Sequence, residues 1–237
     1  MNRSSLKIGK SGHGNCTSRF RRSLKICVSK RPSKPTESVV SSVLTGEPLD
    51  NFENLMKAIR IINSDKAIHI GARHITISTV GLVPQIKELA QQKIQFELAV
   101  SLHGYDNASR NILMPVNRKY PFDDLIQACR EYVQLTKRQI TFEYILIKDV
   151  TCTEKAAQSL QKAFKGLISK MNLIPYNPVV EFDHQTPSRQ EMLAFRNRLE
   201  ELGVHATIRL PRGRDIAAAC GQLRHEASRT VPKAYPS

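Results

Sequence analysis

Between residues 38 and 209, short strand-like apolar runs alternate with longer stretches of helical periodicity, and this alternation constrains the fold more than any other feature of the chain. Strands are predicted at 39–44, 74–79, 95–102, 139–147, 171–174 and 205–209, and the 139–147 run, with its spaced Ile, Phe, Tyr and Leu residues, is the clearest. Helices are predicted at 51–64, 84–92, 121–135, 153–167 and 188–202. The first of these carries Leu55, Met56, Ile59 and Ile62 at helical spacing, with Asn51 as its N-cap. Strands that alternate with helices run parallel and are joined by right-handed crossovers. A complete eight-stranded barrel takes about 250 residues, more than the stretch 38–224 supplies. The expected fold is therefore α/β: a partial, open (β/α) TIM-like barrel of about six strands. Its active site would lie at the C-terminal ends of those strands.

The flanks read differently. Residues 1–37 lack periodicity, carry Gly9, Gly12, Gly14, Pro32 and Pro35, and are predicted to be a disordered basic arm. Residues 1–36 hold ten of the 36 Lys and Arg and none of the 21 Asp and Glu, which leaves a mildly basic body. A strongly basic arm on such a body suits a nucleic-acid partner. An Arg- and Ser-rich segment without acids also reads as an organelle transit peptide, so a cytoplasmic location is expected with an organelle as the alternative. Residues 225–237 are predicted to form a tail. No apolar run approaches the ~18–20 residues that span a bilayer. The five cysteines, at 16, 27, 129, 152 and 220, are odd in number and widely spaced, which fits a reducing compartment. None of them identifies a metal site.

Polar motifs recur at the predicted strand ends. Gly46-Glu47-Pro48 is a turn that lets a ligand approach backbone, with a carboxylate to grip an amine or ribose hydroxyl. Ser78 offers a hydroxyl. Ser101 and His103 lie two apart, on one side of an extended chain, with Leu102 between them. Asn177-Pro178 is a rigid polar turn. Each of these is also an ordinary turn or cap. The segment 114–121 adds Arg118 and Lys119 beside Tyr120, and Arg212 and Arg214 lie further on; bidentate guanidinium and a stacking face suit RNA. Cys129 sits inside a helix and is predicted to be core. Cys152 receives no role. Cys220 lies just past Arg212 and Arg214, where positive charge favours the thiolate.

In this order, Gly46-Glu-Pro-Leu49, His74-Ile-Thr-Ile-Ser-Thr-Val-Gly81, Leu98-Ala-Val-Ser-Leu-His103, the segment 113–121, Thr141-Phe-Glu-Tyr144, the segment 172–178 and Ala219-Cys-Gly-Gln-Leu223 resemble the motifs of a known family. This is the radical S-adenosylmethionine family that methylates C2 of an adenosine in 23S rRNA and in some tRNAs, the RlmN/Cfr-type methyltransferases. The resemblance covers about residues 38–224. It implies that Gly46, Glu47, Ser78, Ser101, Leu102, His103 and Asn177 contact S-adenosylmethionine. Cys220 would become the methyl-cysteine that bridges to the base, and Cys27 would match the resolving cysteine. It implies rRNA, and tRNA besides, as substrate, an electron donor for a [4Fe–4S] cluster, a monomer and no membrane.

That cluster is held by three closely spaced cysteines in a loop after the first strand, and no Cys-x-x-x-Cys-x-x-Cys occurs here. The first strand and the cluster loop are therefore expected to be missing. Two expectations follow: an adenine-C2 methyltransferase by resemblance, or a non-catalytic remnant that binds RNA or S-adenosylmethionine.

Overall fold

The computed structural model describes residues 27–30, 38–41, 46–66, 70–178 and 182–209. One sheet of seven strands organises them, in the spatial order of the chain itself: β1 (Cys27–Lys30), β2 (Ser38–Ser41), β3 (Ile75–Thr79), β4 (Glu97–Ser101), β5 (Ile140–Leu146), β6 (Ser169–Pro175) and β7 (Ala206–Ile208). Strands β2 to β7 pair parallel, each with the next. Helices α1 (Phe52–Asn63), α2 (Val83–Ala90), α3 (Asn107–Leu113), α4 (Phe122–Thr136), α5 (Glu154–Phe164) and α6 (Arg189–Glu201) fill the connections from α1 onward. A sheet that never reverses its strand order winds in one direction and keeps its crossover helices on one face, as a barrel does.

The residue pattern shows which face that is. Along β3, Ile75, Ile77 and Thr79 are buried, whereas Thr76 and Ser78 are partly open. Along β5, Ile140, Phe142, Tyr144 and Leu146 are buried in one core with Leu55 and Ile59 of α1, Ile86 of α2, Leu125 of α4, Leu160 of α5 and Phe195 of α6. Phe142 meets Phe164 edge-on at 4.6 Å, and Tyr144 stacks on Phe195 at 6.1 Å. Each such side chain contributes about 1.5–3 kcal/mol on full burial. The period of two read in β5 is this helix-covered face, and the residues between these positions turn to the other side.

One expectation needs correction. A strand does precede the six predicted ones: β1 lies within the segment read as an arm and pairs antiparallel with β2, Cys27 opposite Ser41 and Lys30 opposite Ser38. Four residues are too few to show a period. Only residues 31–37 separate the two strands, and a parallel crossover needs about a dozen residues or more, so antiparallel pairing is the geometry open to them. Asn51 stands at the N-cap of α1 as expected, but without a side-chain bond to the helix backbone; its Oδ1 accepts from Asn54 Nδ2 at 2.8 Å. A 3-10 turn, Pro48–Asn51, leads directly into α1 and has its own cap, Glu47.

Candidate active site

The parallel register gathers the inward positions of adjacent strands into rows. Ser78 of β3 pairs with Ala99 of β4, and Ala99 with Thr141 of β5. Nearer the C-terminal ends, Ser101, Glu143, Asn172 and Thr207 form one row across β4, β5, β6 and β7. In-register residues of parallel strands point to the same face, so a hydroxyl, a carboxylate, an amide and a second hydroxyl lie side by side on the face the helices leave open. None of the four is fully buried. Arg209, just past β7, reaches back to Glu143, Nη1 to Oε1 at 3.8 Å.

The rim above this row is built by hydrogen bonds that the sequence does not announce. Glu47 Oε1 accepts from Leu49 N at 3.1 Å and Oε2 from Val80 N at 2.7 Å. The carboxylate thus caps the 3-10 turn and fastens it to the end of β3. Burial raises its pKa above the usual carboxylate range, against the lowering effect of these bonds. Each carboxylate oxygen can accept more than once, so the clasp leaves capacity for a ligand amine or hydroxyl. Beside it, a Cβ on Gly46 (φ +147°) would meet nothing within 4 Å. The backbone there is open to an incoming group.

His103, two residues past β4, sits in the left-handed region, φ 52°. Its own N–H and that of Leu102 both donate to the carbonyl of Glu143, at 3.2 and 2.9 Å. Burial, with the nearby Arg110 charge, lowers its pKa to about 4. The imidazole is therefore neutral at physiological pH. Its Nδ1 is buried and has no hydrogen-bond partner among the described residues. A buried polar atom without a partner carries a free-energy cost that a polar ligand atom would remove.

Arg110, on α3, is fully buried. Its Nε donates to Leu102 O at 3.1 Å, Nη2 to Val80 O at 2.6 Å, and Nη1 to Asn117 Oδ1 at 3.0 Å. One guanidinium thus ties the ends of β3 and β4 to the turn 115–118. Burial depresses its pKa to about 10, so it stays charged. The helix that carries it begins with a capping box in which Asp106 Oδ1 accepts from Ser109 N at 2.7 Å. It packs so closely on Gly104 that a Cβ there would lie 2.7–2.8 Å from the Cβ and backbone of Arg110. Asn117 continues the network, donating to Asn111 Oδ1 at 2.8 Å and to Asn107 Oδ1 at 3.1 Å.

The other sequence-derived candidates fall as follows. Asn177 is exposed just past β6, on the same rim. Arg118 and Lys119 are exposed there too, and Lys119 Nζ lies 5.3 Å from the ring centre of Tyr120. Cys27 lies on β1. Cys220, Arg212 and Arg214 lie outside the described residues. Cys129 is core, as expected, with burial pushing its thiol up to about 12. Burial also raises Cys152, to about 11. Glu143 and Arg110 were missed. Glu143 stood inside a quoted motif, but only the register shows that it faces inward.

A cavity of about 440 Å³ opens at the opposite end of the sheet, where Gln139, Ser169 and His205 mark the starts of β5, β6 and β7. It lacks the family motifs, and the chemistry gathers at the other rim.

The chain matches the model of the radical SAM superfamily over residues 32–157. It is 42% identical over 199 residues to a probable dual-specificity RNA methyltransferase RlmN of Lachnospira eligens, covering 83% of this chain and 57% of that protein. It is 47% identical over 188 residues to a protein of the same name from Spiroplasma citri, covering 79% and 54%. It therefore spans a little over half the length of these curated relatives. The crystal structure of a radical SAM methyltransferase from Sphaerobacter thermophilus superposes with a TM-score of 0.74 at 43% identity, over 77% of this chain and 53% of that one. A domain of a pyruvate-formate lyase-activating enzyme from Bacteroides vulgatus shares the fold, with a TM-score of 0.55 at 21% identity over 69% and 94%.

Proposed function

Because the chain belongs to the radical SAM superfamily, in its RlmN/Cfr-type branch, we propose that it seats S-adenosylmethionine on the open face of the sheet, at the C-terminal rim, as part of an RNA methyltransferase. The carrying observation is the inward row Ser101, Glu143, Asn172 and Thr207 across the C-terminal ends of β4 to β7. The residues fit the ligand. Ser78 and Ser101 supply hydroxyls, Glu143 supplies an acceptor for ribose hydroxyls, the turn at Gly46 leaves room at the backbone, and His103 Nδ1 awaits a partner. Bound there, S-adenosylmethionine supplies a sulfonium methyl. By family resemblance the acceptor is Cys220 and then C2 of an adenine in 23S rRNA or tRNA, with Arg118, Lys119, Arg212 and Arg214 toward the phosphates. A cytoplasmic monomer suits this role.

The cluster does not fit. The segment 31–37, where its loop would stand between β1 and β2, has no cysteine. Cys129 is sealed in α4, and Cys152 lies in the connection just before α5. No electron-transfer step is therefore derived for these residues. This observation favours the second reading, a non-catalytic protein that binds RNA or S-adenosylmethionine. Titration calorimetry with S-adenosylmethionine separates the site from its chemistry. Single-site binding is expected, weakened about tenfold by Ser101→Val or by Glu143→Leu, each of which removes a hydrogen-bonding group worth about 1–1.5 kcal/mol. Absence of binding by the unmodified chain would refute the proposal.

A further inference from the structure

We propose that Phe182 and His184 form a stacking seat for one unpaired nucleobase of RNA, an inference that rests on the RNA reading above. Among the described residues Phe182 is the exposed large aromatic, with 61% of its surface open. It lies between β6 and α6, on the same rim as Asn177. His184 runs parallel to it, 4° between ring planes and 6.4 Å between centres. His184 in turn meets Tyr176 edge-on at 6.0 Å, and Tyr176 is buried.

The backbone that presents the ring is pinned. His184 N donates to Phe182 O at 2.9 Å, Thr186 Oγ1 to Tyr176 O at 2.7 Å, and Lys148 N to Gln185 O at 2.9 Å. Tyr176 Oη adds a longer bond to Phe182 O at 3.5 Å. An apolar ring held outward gains by being covered. The other residues of the C-terminal rim indicate the kind of cover. Lys119 lies over Tyr120, Lys155 lies over Tyr105 at 5.7 Å, and Arg118 and Arg209 are exposed. Basic side chains interleaved with aromatic faces are the composition that binds unpaired nucleic acid, with cations tracking phosphates and rings taking bases. Asp183, between the two in sequence, is exposed and would repel a phosphate. The seat itself therefore takes a base, and the lysines and arginines elsewhere on the rim take the backbone.

The chain has no tryptophan, so Phe182→Trp introduces a single indole at this position. Its emission should be quenched saturably by single-stranded oligoadenylate and left unchanged by inorganic polyphosphate. Phe182→Ala should weaken oligoadenylate binding about tenfold, the ordinary cost of one lost base stack. Phe182→Tyr should retain binding, and the urea midpoint of all three variants should match that of the unmodified chain, because the ring is exposed. Binding by the unmodified chain, with no emission change in the Phe182→Trp variant and no weakening in Phe182→Ala, would overturn the seat and leave the RNA reading standing. Equal quenching by polyphosphate would overturn it as well, by assigning the site to charge alone. Failure of the unmodified chain to bind oligoadenylate would remove the RNA reading and the seat together.

Discussion

Replacing Arg110 with methionine is expected to cost the fold about 3–5 kcal/mol, because it leaves the carbonyls of Val80 and Leu102 and the amide oxygen of Asn117 buried without their donor. The substitution preserves bulk and apolar packing, so the loss is mainly one of hydrogen bonds to a charged donor, each ordinarily worth about 1.5–3 kcal/mol and not additive. Lysine at the same position restores the charge, but its compact ammonium cannot span three directions as a planar guanidinium does. It should recover only part of the loss. Urea unfolding measures both variants. A methionine variant as stable as the original would mean that these carbonyls find other partners and that Arg110 does not hold the rim. The consequence reaches the site, since Leu102 and Val80 flank His103 and the Glu47 clasp.

Anaerobic incubation with iron and sulfide is expected to yield no cysteine-ligated [4Fe–4S] cluster. A site of this class needs thiolates brought together by close spacing. The described cysteines lie on separate elements: Cys27 stands on β1, Cys129 is held neutral inside the core, and Cys152 is partly buried elsewhere with a raised pKa. The connection between β1 and β2 is both too short for a crossover and free of cysteine. Visible absorption and iron content read the result, and a stoichiometric cluster would contradict it.

The strand–helix alternation was legible because β3, β5 and β6 bury one face against helices, which writes a period of two into the sequence. Helix α3 was not. Asn107-Ala-Ser-Arg-Asn-Ile-Leu113 has no apolar stripe, because the residues it buries are Ser109 and Arg110, and an arginine normally marks a surface. Asp106 three residues before Ser109 was the available signal, as a capping box. Strand β1 escaped because four residues carry no pattern and pairing alone defines it. The positions of Ser78, Ser101 and His103 at strand ends were readable from their motifs. What they share with Glu143 was not, since a common inward face exists only once the register is fixed.

Hydrogen–deuterium exchange with and without S-adenosylmethionine tests the placement of the ligand most directly. Slowed exchange is expected at the amides of Val80, Gly81, Leu102, His103 and Asn177, at the C-terminal ends of β3, β4 and β6. No change is expected at Gln139, Ser169 and His205, where the 440 Å³ cavity opens. Protection at that opposite rim, or at neither, would contradict the site proposed for this chain.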